Sequence, residues 1–170
     1  MVSRFFRLLM VVVLGVSVVG LSSAFAGHDY VGSKKCKSCH KAQFKSWEQT
    51  DMAKALETLK PGVKADAKTK AGLDPAKDYT GDASCLSCHT TGHGEATGFK
   101  SEADTPTLAG VGCESCHGPG KDYKKKAVMK DHDAAVAKGL IVPDEKLCTT
   151  CHNDKSPTKG AFKFDKNKGI

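Results

Sequence analysis

The chain has 170 residues, enough for one domain, with 26% charged residues, only 6% aromatic residues and a formal net charge of +7. Beyond the first 26 positions bulky aliphatic side chains are scarce. The polypeptide alone would therefore bury too little apolar area for a stable globule, and something else must fill its core.

Met1 to Arg7 carries Arg4 and Arg7, Leu8 to Leu21 is an apolar run, and Ala24-Phe25-Ala26 offers small residues to a signal peptidase. This is the pattern of a cleaved secretory leader. The apolar run of about 14 residues is shorter than the roughly 20 that span a bilayer, although an uncleaved anchor is the alternative. Residues 1–26 are expected to be removed, leaving 27–170 as one exported domain, in the periplasm or beyond the cell. Export argues against nucleic acid as the partner of the basic charge. The lysine excess instead suits bound groups that bring carboxylates of their own.

In chain order, Lys34 to Lys60 contains good helix formers and is expected to be one helix stopped by Pro61-Gly62. Gly72 to Gly112 is interrupted by Gly, Pro and Thr and reads as loops with short helical turns. Lys121 to Lys138, after Gly118-Pro119-Gly120, reads as a second helix with Gly139 at its C-terminus. The tail from Asn153 is polar, with Phe162 and Phe164 as its large apolar anchors and frayed last residues. No strand pattern stands out.

The motif Cys-x-x-Cys-His occurs four times, at Cys36/Cys39/His40, Cys85/Cys88/His89, Cys113/Cys116/His117 and Cys148/Cys151/His152, and uses all eight cysteines. In an exported chain eight cysteines would first suggest disulfides, but this spacing does not. Two cysteines so placed can form thioethers to one haem, and the adjacent His reaches the iron as proximal ligand. Zinc would need paired Cys-x-x-Cys units, and a redox dithiol would not recur four times. Four haem c groups, covalently attached, then supply the apolar core that the side chains lack. The expected fold is mainly α, a small multihaem cytochrome c fold of helices and loops wrapped around four closely packed haems, with little or no sheet.

The distal sides of the irons are less well provided. Outside the motifs the exported chain holds three histidines, His28, His93 and His132, and two methionines, Met52 and Met129. At least one iron must therefore lack a distal histidine from its own chain. Met52 is a ligand or a core filler. His132 and Met129, three apart, share a face of the second helix, so that one can ligate while the other packs. His93, four residues after His89, can ligate another haem, line an open site or face solvent. His28, near the exported N-terminus, can be loose or recruited as a ligand.

From about Tyr30 to Asn153 the sequence resembles the tetrahaem cytochrome c-554 family, known from ammonia-oxidising bacteria. The resemblance rests on residues 32–43, Ser46-Trp47, Leu73-Asp74-Pro75-Ala76-Lys77-Asp78-Tyr79 and, most specifically, Gly110-Val111-Gly112-Cys113-Glu114-Ser115-Cys116-His117-Gly118-Pro119-Gly120. It implies stacked haem pairs and a periplasmic carrier taking electrons from a hydroxylamine-oxidising oxidoreductase towards membrane quinone or cytochrome partners. It implies a second haem that is five-coordinate. It also implies that Met52 stands where the family has the distal His of the third haem, opposite His117, and that His132 serves the first haem opposite His40. The family's C-terminal extension is missing, so the fourth haem at His152 has lost its expected ligand, and His28 is the candidate substitute, from this chain or a neighbour. His93 replaces a residue that is commonly aromatic beside the second haem.

Electron transfer without substrate transformation is the leading expectation. One alternative is redox chemistry on a small nitrogen species at an open haem, with His93 as proton donor. The other is a subunit of an extracellular cytochrome filament completed by His28.

Overall fold

The computed structural model describes residues 28–156 and 162–163; the leader, Phe164 and the last residues lie outside them. The described chain is helical, with no strands beyond an isolated antiparallel bridge between Thr90 and Ala109. Seven short α-helices follow one another: α1 (Lys41–Glu48), α2 (Ala65–Lys70), α3 (Ala83–His89), α4 (Cys113–His117), α5 (Lys126–Met129), α6 (His132–Ala137) and α7 (Glu145–Cys148). Tight 3-10 turns lie at Ser33–Lys35, Ala55–Leu59 and Pro106–Leu108.

The single helix expected from Lys34 to Lys60 is instead broken into three pieces. α1 stops at Glu48, and the Thr50 hydroxyl turns back to donate to the Trp47 carbonyl at 2.7 Å. Such local side-chain bonds compete with the helical ladder. The Met52 carbonyl then accepts the Val111 N–H at 2.9 Å, so a distant segment takes the place of the next helical turn. Met52 consequently sits in a turn and not within the first helix.

The second expected helix also divides. Asp131 leaves the helix and caps α6, its carboxylate accepting the Ala134 N–H at 3.0 Å. Met129 ends one helix and His132 begins the next. Gly139 closes α6 as expected: with φ at +97°, Gly139 N–H donates to Val136 and Leu140 N–H to Ala135, the paired bonds of a glycine-terminated helix.

The side-chain core is small. Leu56, Leu59, Tyr79, Leu86, Phe99 and Leu108 cluster beside the second motif, with Tyr30, Leu73, Cys85 and Ala109 packed against them. The loop after α3 closes over this cluster through Phe99 N–H to the Thr91 carbonyl at 3.0 Å. There a Cβ on Gly98 would lie 1.7 Å from the Gly92 carbonyl oxygen, so only glycine permits the approach.

Phe99 is 1% exposed in the middle of this cluster. Phe99→Ala is expected to cost about 3–5 kcal/mol in denaturant unfolding followed by far-ultraviolet circular dichroism, and an unchanged midpoint would show that the cluster carries little of the fold.

Candidate functional site

Each motif is carried on one tight turn. α3 and α4 hold the second and third motifs, so that cysteines three apart and the histidine four after the first cysteine face the same way. The first motif closes through His40 N–H to the Cys36 carbonyl at 3.0 Å, and the fourth closes through His152 N–H to the Cys148 carbonyl at 3.0 Å. The helices that enter the second and fourth motifs are capped by Asp82, which accepts from Ser84 N–H at 2.9 Å, and by Asp144, which accepts from Leu147 N–H at 2.9 Å. α4 has no cap of its own. Its Gly112 N–H donates to Thr91 Oγ1 at 2.9 Å and its Cys113 N–H to Ser33 Oγ at 3.0 Å, so remote hydroxyls do that work.

None of the eight cysteines is in a disulfide. The neighbouring Cys113 pushes the Cys36 thiol up, and Cys36 in turn holds Cys113 down to about 6. Cys88 and Cys151 are similarly paired, burial raising the Cys151 thiol first and Cys88 adding to it. Cys116 is raised by burial and then by Cys148.

Two of the four motif imidazoles are oriented as iron ligands require. His89 Nδ1 lies 2.8 Å from the Ala55 carbonyl, and His117 Nδ1 lies 3.1 Å from the Ile141 carbonyl. A carbonyl can only accept, so each Nδ1 carries the proton and each Nε2 keeps a lone pair for a metal. The Thr58 hydroxyl, bonded to the same Ala55 carbonyl at 2.6 Å, sits 3.2 Å from His89 Nδ1. The His152 ring is stacked by Phe162 at 4.5 Å between centroids, which gives that expected anchor a place.

A cavity of about 410 Å³ opens between the first and third motifs, a size proper to a cofactor site. Cys36 and His40 line it from one motif, Cys113, Cys116 and His117 from another. Met52, Met129 and His132 line it too, together with apolar Phe44, Trp47, Leu140 and Ile141. The structure thus brings together Met52 and His132, far apart in sequence, on the shared void of two motifs. Facing cysteines, imidazoles with free Nε2 atoms and an apolar void with soft and imidazole donors fit covalently held haems.

The remaining two candidates lie elsewhere. His28 packs on Gly139, where a Cβ would meet its Nε2 at 3.1 Å, and its Nδ1 is 2.6 Å from Asp122 Oδ2. That contact also holds the Asp122 carboxyl below its ordinary value. His93 has a buried Nδ1 with no hydrogen-bond partner. Sequence reasoning did not single out Glu114, Thr91 or Ser33 as the residues that join the motifs. The one signal available was a Glu between the cysteines of the third motif.

A family model described as "Cytochrome c554 and c-prime" matches residues 35–118. Cytochrome c-554 of Nitrosomonas europaea is 46% identical over 155 residues, a match covering 82% of this chain. The chain spans 65% of the length of that curated relative. A solved structure, the reduced state of cytochrome c554 from Nitrosomonas europaea, aligns with a TM-score of 0.67 and 46% identity, covering 80% of this chain and 72% of that one.

Replacing Cys148 and Cys151 with alanine is expected to leave three haems per chain, counted by pyridine haemochrome absorbance against protein mass. A count that stays at the wild-type value would remove the fourth motif from the attachment sites.

Proposed function

The chain belongs to the cytochrome c-554 family, and on that premise we propose that it is an exported electron carrier, taking electrons from one redox protein and passing them to another without transforming a substrate. It carries four covalently attached haems. Thioethers from Cys36 and Cys39, Cys85 and Cys88, Cys113 and Cys116, and Cys148 and Cys151 hold them, with His40, His89, His117 and His152 as proximal ligands.

The observation that carries this reading is the apolar cavity that the first and third motifs share, lined by Cys36 and His40 of one and by Cys113, Cys116 and His117 of the other. Groups attached around one cavity are neighbours, so electrons pass directly between them. A bound haem supplies reversible one-electron exchange at its iron. The protein's part is to hold neighbours close, fix the imidazoles through the Ala55 and Ile141 carbonyls, and cover the first and third groups with apolar side chains.

The distal assignments follow the cavity. His132 serves the haem at His40, and the Met52 thioether serves the haem at His117. The Met52 carbonyl is bonded to Val111 N–H, two residues before Cys113, which ties Met52 to the third motif. Thioether ligation raises a haem's potential relative to imidazole. The donor class is an oxidoreductase acting on hydroxylamine or a similar compound, and the acceptors are membrane quinone-linked or cytochrome partners. The setting is the periplasm, and no helix among the described residues is long and apolar enough to cross a membrane.

A second reading rests on His93, whose buried, unpartnered Nδ1 lies four residues past His89. If the haem at His89 is open on its distal side, this imidazole is a proton donor for chemistry on a small nitrogen species. Carbon monoxide added to the reduced protein separates the readings in part. No spectral change means that no haem is open and ends the second reading.

For the carrier itself, redox titration followed by electron paramagnetic resonance should resolve four one-electron centres, and electrons from a reduced partner should reach all of them. Met52→His should abolish the weak near-infrared methionine–iron band of the oxidised protein and lower one potential. A band that persists after that change would assign the thioether ligand to Met129 instead.

A further inference from the structure

Glu114 is the most unusual charged residue in the described chain. It lies between the cysteines of the third motif and is only 2% exposed. Its carboxylate accepts from Val31 N–H at 3.0 Å, Gly32 N–H at 2.7 Å and Gly120 N–H at 2.6 Å. Val31 N–H also reaches its second oxygen at 3.2 Å. These partners are all donors, the environment of an ionised carboxylate. None of the ion pairs among the described residues includes Glu114. Backbone dipoles therefore hold a buried negative charge that no cation directly neutralises.

Its position makes that charge bear on two haem sites. Val31 and Gly32 lead into the first motif, and Glu114 itself lies within the third. Groups on separate segments respond to it. Tyr123 is raised by burial first and by Glu114 next, Tyr30 by burial, then Glu95, then Glu114. The Cys36 thiol is raised by Cys113 and by burial, with Glu114 adding to both, while the exposed Lys124 opposes it.

We propose that Glu114 is a potential-setting residue for the first and third haems: its fixed negative charge favours their oxidised irons and makes this pair harder to reduce than it would otherwise be. This rests on the haem assignment of the preceding section. The reasoning is Coulombic. Reduction removes one positive charge from a haem, so a nearby buried anion stabilises the oxidised form more, and low polarity strengthens the effect. A purely structural clasp would need hydrogen-bond acceptors in this place but not a net charge. By this account the thioether at Met52 and the carboxylate at Glu114 act in opposite directions on the third haem, while the first haem feels the carboxylate alone.

The test is a spectroelectrochemical titration of the wild type, Glu114→Gln and Glu114→Asp, each with its haems counted. Glu114→Gln should raise two of the four potentials, each by on the order of a tenfold change in the reduction equilibrium, which is about 59 mV for a one-electron couple. Glu114→Asp, which keeps the charge, should leave them near wild type even if the protein is less stable. Four unmoved potentials in a Glu114→Gln protein with all its haems would overturn the proposal and leave the carrier reading standing. A wild type without four haems would overturn both. If Glu114→Gln does not mature, redox-difference infrared spectra of the wild type and Glu114→Asp decide the matter. A carboxylate band that responds to haem reduction and moves in Glu114→Asp supports the proposal, and the absence of such a band overturns it.

Discussion

A chain this poor in bulky side chains depends on apolar volume that it does not itself contain. Among the described residues its buried side-chain cluster is Leu56, Leu59, Tyr79, Leu86, Phe99 and Leu108, gathered at the second motif. Between the first and third motifs there is instead a cavity of about 410 Å³ with apolar walls. The short helices follow from this. A four- or five-residue helix such as α4 or α5 has almost no stability of its own and persists because something packs on it or bonds its ends. Covalently held haems provide the packing, and hydrogen bonds from distant segments provide the ends.

Those hydrogen bonds converge on a few polar side chains. Thr91, 2% exposed, donates to the Gly110 carbonyl at 2.9 Å and accepts from Gly112 N–H at 2.9 Å, linking the segment after the second motif to the start of the third. Ser33 Oγ takes the Cys113 N–H, and Glu114 takes the backbone ahead of the first motif and after the third. Trp47 Nε1 donates to the Val111 carbonyl at 2.8 Å, and Met52 accepts the Val111 N–H. Three motifs that are dozens of residues apart are thus joined at residues 110–114. Buried polar groups that are fully bonded specify one arrangement more sharply than apolar contact does. That sharpness is useful where separations between haems must be kept constant.

Much of the helical content was legible, but its continuity was not. Propensity favours a helix over Lys34–Lys60, yet it carries no information about Val111, whose N–H takes the Met52 carbonyl in the turn beyond α1. Asp131 could be read either as a helix-interior residue or as a cap, and only its bond to Ala134 N–H decides for the cap. Gly139 was readable because a glycine after a run of helix formers has few other uses, and its left-handed backbone agrees. The candidate ligands divide in the same way. Met52 and His132 are brought to one cavity, whereas His28 is held by Asp122 and Gly139, and His93 stands with an unpartnered nitrogen.

Taken alone, the sequence determined the four Cys-x-x-Cys-His sets: which cysteines and histidines stand together, and how many such sets there are. That was possible because covalent haem attachment depends on five consecutive residues, and a local spacing survives any change in the fold. The tertiary structure alone decided the shared cavity of the first and third motifs and the burial of Glu114 among backbone donors. These depend on residues such as Gly32, Val111 and Gly120 meeting across long stretches of chain, and local spacing has no bearing on such meetings.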